Sequence, residues 1–156
     1  MRSRLRFTVV LALVAALVGV PATAAKADVD RVVVEFSTQY ICWETMPKLR
    51  AATAAPEYQK CDVRVGLSKP TQQEVVFVYR TEAGSAKPQA DYVDIRESKG
   101  AIAPGASEGY ITLQIVPDRV PEPEEFLTVV LLQASGATVG RRTGTVTIQD
   151  SVQSGD

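Results

Sequence analysis

From Val75 to Asp150, apolar and polar residues alternate in short runs that turn residues interrupt: VVFVYRTEAGSA, DYVDI, GYITLQIVPD, EFLTVVLLQ and ATVGRRTGTVTIQD. A period of two held over four to eight residues puts one face of each run in a core and the other in water, which is the pattern of a strand. Upstream, RVVVEF (31–36) is β-branched and reads as a first strand. CDVRVGLS (61–68) alternates cleanly, with Val63, Val65 and Leu67 on one side and Asp62 and Arg64 on the other. EVVFVYRT (74–81) is apolar on both faces, as a central strand is. This makes about seven strands with no convincing amphipathic helix, so the chain is all-β and folds as an antiparallel β-sandwich; a closed barrel fits the same pattern.

The first 27 residues read as an address rather than as structure. Arg2, Arg4 and Arg6 precede an apolar run from Phe7 to Val20, and Ala25-Lys26-Ala27 supplies small residues for cleavage; an earlier cut after Ala22-Thr23-Ala24 fits as well. The run is shorter than the roughly 20 residues that span a bilayer, so the expectation is a signal peptide at 1–27, a secreted protein, and no membrane span once the signal is removed. A single domain over 28–150 follows, with a polar, disordered tail at 151–156. The leader holds four basic and no acidic residues, leaving 13 basic against 18 acidic side chains, a net charge of -5. That balance does not fit nucleic acid or an anionic membrane, both of which need a basic patch.

The chain has no histidine, which removes histidine-based triads, bases and metal ligands together. Its two cysteines, Cys42 and Cys61, are an even pair in an exported chain and are expected to form a disulfide closing a loop of about 20 residues. They bracket most of a segment, 37–60, where the strand pattern is lost. It contains the only tryptophan, Trp43, and the alanine-rich LRAATAAPEY between Pro47 and Tyr58, and it reads as an inserted loop with one short helical turn over 47–53. Trp43 and Tyr58 either cover the edge of the core or form a surface for a partner. The segment 82–90 is turn chemistry, and PDRVPEPEE (117–125), with three prolines and four acids, is an exposed loop between strands.

In order and spacing, VVFVYRTEAGSA followed by DYVDI, the Pro104-Gly105 turn before ITLQIVPD, then EPEEF and the closing GATVGRRTGTVTIQD resemble the Calx-beta domain family, known from the calcium-sensing part of sodium–calcium exchangers. The resemblance runs from Arg31 to Asp150 around the insertion at 37–60. It implies an immunoglobulin-like sandwich that holds Ca²⁺ at one end through a first-strand glutamate, the aspartate of an Asp-Tyr pair, an acidic loop and an acid after the last strand. Carried onto this chain, the set is Glu35, Asp91, Asp118 with Glu122, and Asp150, and Glu124 or Glu125 could add a further ligand. Pro117 stands at the first loop aspartate, and Ser151 and Val152 stand where the acidic run would continue. The implied site is therefore a single weak one, in the millimolar range suited to extracellular calcium. Without an ion, Glu35 reads as a solvent-facing strand residue and Asp91 as a turn cap.

The functional expectation is a secreted, non-enzymatic binding or adhesion module that takes an extracellular or cell-surface protein or glycan. The alternative is a secreted inhibitor or envelope-associated structural protein that uses the disulfide-tethered loop around Trp43 as its contact surface, without calcium. A glycosidase-like carboxylate pair drawn from Asp118, Glu122 or Glu124 is disfavoured, because those residues share one proline-rich loop instead of facing each other across a cleft.

Overall fold

The computed structural model describes residues 31–45, 57–118 and 120–150. The expected leader, the expected helical turn at 47–53 and the tail from 151 lie outside the described residues. Nine strands follow in order: β1 (Val33–Phe36), β2 (Gln39–Glu44), β3 (Gln59–Leu67), β4 (Val75–Ala83), β5 (Ser98–Ile102), β6 (Glu108–Ile115), β7 (Glu125–Ser135), β8 (Thr138–Val139) and β9 (Thr143–Asp150). Among the described residues there is no helix, and so none long and apolar enough to cross a membrane.

Two sheets form the sandwich, one in the order β6-β3-β1-β8 and the other β2-β9-β7-β4-β5. Alternation supplies both inner faces. Val34, Phe36, Val63, Val65, Ile111, Leu113 and Ile115 come from the first sheet. Val75, Phe77, Leu127, Val129, Leu131, Val146 and Ile148 meet them from the second. Each such side chain contributes about 1.5–3 kcal/mol when fully withdrawn from water.

The pairings are antiparallel except for β1 with β8 and β2 with β9, which are parallel. These exceptions arise because the first strand is split. It runs in the first sheet to Phe36, then crosses at Ser37 and continues as β2 on the edge of the second sheet. The segment 37–60 is thus shorter as a loop than its composition suggests: β2 fills 39–44 and β3 begins at Gln59. Cys42 and Cys61 are joined, with Cα atoms 5.7 Å apart, which ties β2 to β3.

Two other runs differ from the expectation. DYVDI is no strand. It is a turn held by isolated bridges of Tyr92 to Pro88 and Ile115, and Val93 N–H donates to the Gln114 carbonyl. Conversely SKGAI, short and with a central glycine, forms edge strand β5 against β4. Gly100 is required there, since a Cβ would meet the Phe77 ring at 2.3 Å.

Candidate metal centre

The inward phase of three neighbouring strands carries on past the hydrophobic core and ends in acids. In β2 the residues facing in are Tyr40, Cys42 and Glu44; in β9 they are Val146, Ile148 and Asp150; in β7, Glu125 precedes Leu127 and Val129. Register brings Glu44 directly beside Asp150, and Glu125 beside Ile148 one step inward. Like charges opposite one another destabilise a sheet, so the Glu44–Asp150 pairing sets two acids against each other at this end of the sandwich.

Two loops close over these strand ends. The first holds Asp91, which is 8 % exposed and accepts the Lys87 N–H through Oδ2 at 2.6 Å. The second holds Asp118 and Glu122. The Asp118 N–H donates to Glu44 Oε1 at 2.7 Å, and the Glu122 N–H donates to Asp150 Oδ2 at 3.3 Å. Asp118 in turn caps its own loop, with Oδ1 accepting the Val120 N–H at 2.6 Å. Backbone amides therefore pin four carboxylates, those of Asp91, Glu44, Asp118 and Asp150, while one carboxylate oxygen each from Asp91, Glu122 and Glu125 lies within 4.8 Å of the others.

The titration of these groups follows from that crowding. Burial first, then the hydrogen bond and negative charge of Asp91, push the Glu125 carboxyl up to about 7. Glu122 is raised by burial and by Asp91 and Asp118. Glu44, 6 % exposed, is raised mainly by burial and by the charges of Asp118, Asp150 and Glu122, against the lowering effect of the Asp118 N–H. Crowding of this kind disfavours the charged forms of Glu122 and Glu125, and a proton or a cation at the cluster relieves it. The donor set is all carboxylate oxygen, the chemistry of a hard divalent ion such as Ca²⁺. Among the described residues, Lys87 is the cation whose charge reaches both Glu122 and Glu125.

Of the acids expected from the sequence, the fold gathers Asp91, Asp118, Glu122 and Asp150 at one pole and places Glu35 elsewhere. Glu35 pairs with Gly66, while the pole lies by the Gln59 end of β3, seven residues away or about 23 Å along the strand. Its phase is also wrong, because Val34 and Phe36 face the core and Glu35 does not. The acid that the first part of the chain brings to the pole is Glu44, beside Asp118 and Asp150. The signal was present in ICWE: if Cys42 faces in to reach Cys61, so does the residue two further on. Glu125, not Glu124, completes the set; Glu124 instead hydrogen-bonds the Gln149 amide.

Trp43 and Ile41, in the opposite phase of β2, lie on the outer face of the second sheet at 52 % and 53 % exposure. Register sets Ile41 beside Thr147 and Thr147 beside Phe126, itself 48 % exposed, which makes an apolar strip next to the acidic pole. Trp43 does not cover the core.

Solved structures share this architecture. The apo-form Calx CBD1 domain matches over 79 % of this chain and 100 % of its own, at 21 % identity and a TM-score of 0.60. The calcium binding domain CBD12 of CALX1.1 matches over 78 % of this chain at 22 % identity and a TM-score of 0.61, and this chain spans 47 % of that longer one. The Calx CBD2 domain matches over 78 % of this chain and 88 % of its own at 14 % identity, TM-score 0.59. At such identities the likeness is one of fold. No curated protein matches the sequence. The Calx-beta domain model matches residues 52–152, which is most of the sandwich, and the chain belongs to the Calx-beta family.

Proposed function

We infer that this protein is a secreted, non-catalytic binding module whose acidic pole takes Ca²⁺. The observation that carries the reading is the convergence of Asp91, Glu122 and Glu125 within 4.8 Å, in a chain with no histidine for acid–base or nucleophilic chemistry. Asp91, Glu122 and Glu125 would hold the ion, with Glu44, Asp118 and Asp150 completing the surrounding negative field. When bound, Ca²⁺ would supply charge neutralisation to these crowded carboxylates. The chain's own part is to orient them: Lys87 N–H fixes Asp91, Asp118 N–H fixes Glu44, and β2, β9 and β7 present their last inward residues together. With carboxylates drawn from two loops and three strand ends, an ion would tie together segments that are separate in the chain. An affinity of about 0.1–1 mM suits an extracellular module of this kind.

Titration by calorimetry, with a parallel thermal melt, tests this. Saturable binding and a raised melting temperature are expected by about 10 mM calcium; absence of both heat and thermal shift there refutes the ion reading.

The strip of Ile41, Trp43 and Phe126 favours a second element, a contact face for an extracellular or cell-surface protein or glycan. Because Trp43 is the sole tryptophan, its fluorescence reports occupancy of that face. A candidate partner that binds without changing it does not use this surface.

A further inference from the structure

β2 is held on two sides, and the sides are built differently. Toward β9 it makes a six-residue parallel ladder, Gln39 to Glu44 against Thr145 to Asp150. Toward β3 no ladder forms, and side chains do the fastening. Tyr40 Oη accepts the Ser37 N–H at 2.8 Å and donates to the Arg64 carbonyl. Cys42 is bonded to Cys61. Gln59 Oε1 accepts both the N–H and the hydroxyl of Thr45, each at 2.8 Å. The ties pair 40 with 64, 42 with 61 and 45 with 59, so they descend β2 as they climb β3, stitching an antiparallel seam without backbone bonds.

The last two ties bracket Glu44. An edge strand frays at its end, and a carboxylate there facing Asp118, Asp150 and Glu122 gains by swinging into water. Swinging out would release the Asp118 N–H, which Glu44 holds at 2.7 Å, and with it the loop that carries Glu122. We propose that the Cys42–Cys61 bond and Gln59 are positioning elements of the acidic pole: they keep Glu44 turned inward against the repulsion of its neighbours, and ion affinity depends on them. The affinity part rests on the calcium reading of the pole; the placement of Glu44 does not.

The experiment combines two variants with two readouts. In Cys42→Ala/Cys61→Ala the calcium dissociation constant should rise about 10-fold or more, because a whole strand end is freed. In Gln59→Ala, which keeps the disulfide, it should rise about 3-fold, the loss of an ordinary hydrogen bond. In calcium-free protein, hydrogen exchange at the Asp118 amide should quicken in both, while the core amides of Leu113 and Val129 stay protected. Loss of protection throughout the core would mark the bond as a global staple only and overturn the proposal, as would unchanged exchange at Asp118 in Gln59→Ala. Calcium binding that ignores both substitutions overturns the affinity part and leaves the ion site standing. A wild type that binds no calcium, yet loses Asp118 protection in both variants, keeps the positioning role and removes the ion.

Discussion

The two ends of the sandwich are both charged, yet they handle charge in opposite ways. At the end where β1 and β3 pair through Glu35 and Gly66, acids meet arginines. Arg64 Nε lies 2.6 Å from Glu108 Oε2, the Tyr110 hydroxyl donates to Glu108 at 2.7 Å, and a shallow pocket there is lined by Glu35 together with Arg64 and Arg141. At the other end, among the described residues, Glu44, Asp91, Asp118 and Asp150 accept backbone amides, while Glu122 and Glu125 crowd against Asp91 with Lys87 nearby. The first arrangement is complete as it stands, worth little individually because it is solvent-exposed. The second, among the described residues, gathers six acids around the single described cation whose charge reaches Glu122 and Glu125, Lys87, and it is this crowding that the calcium reading rests on.

Substitutions can break this contrast, and removal of the shared ligand should do so most. Asp91→Ala takes away the buried carboxylate that faces both Glu122 and Glu125, and it should abolish the calcium-dependent rise in melting temperature, read by differential scanning calorimetry. Next in size is the comparison of two glutamates. Glu44→Gln should weaken calcium binding about 10-fold, the scale of one lost charge and its field, whereas Glu35→Gln should leave the isotherm unchanged. Equal effects from the two would erase the distinction between the poles.

The pH dependence is smaller and its sign is fixed. The Glu125 carboxyl, pushed from an ordinary 4.5 to about 7, binds its proton more tightly in the folded state. Folded protein therefore holds more protons than unfolded protein between those values, and stability falls as pH rises through that window. Urea melts in a chelator at about pH 5 and about pH 8 should show the loss, and saturating calcium should flatten it; calcium affinity should weaken below about pH 7 as protons compete. The smallest effect belongs to exposed Lys87. Lys87→Gln removes a competing cation and should tighten calcium binding about 2-fold, with less effect at high salt.

The architecture was legible because a buried face enforces its own period. Val63, Val65, Ile111, Leu113 and Ile115 face inward as their spacing requires. What was not legible was where the chain changes sheets. Nothing in STQYICWE marks the crossing at Ser37, so β2 read as loop, and the sequence placed a first-strand acid at the pole through Glu35, whereas the fold brings Glu44 there. DYVDI alternates like a strand but is held as a turn by the Asp91 cap on Lys87, a side-chain bond that alternation does not record. SKGAI shows too little hydrophobicity to announce itself and becomes a strand only because β4 offers it a partner. Motif order named Asp91, Asp118, Glu122 and Asp150, which the fold gathers at one pole, and named Glu125 only as one of two options, since choosing it over Glu124 needs the phase of β7.

Which pole takes the ion can be read amide by amide. In an isotopically labelled sample titrated with calcium and followed by nuclear magnetic resonance, the amides of Lys87, Asp91, Asp118, Glu122 and Asp150 should shift together along one saturable curve. Those of Glu35, Arg64 and Glu108 should stay in place. Shifts centred on Glu35 and Glu108, or none at either end, would contradict the assignment of the acidic pole as the binding site.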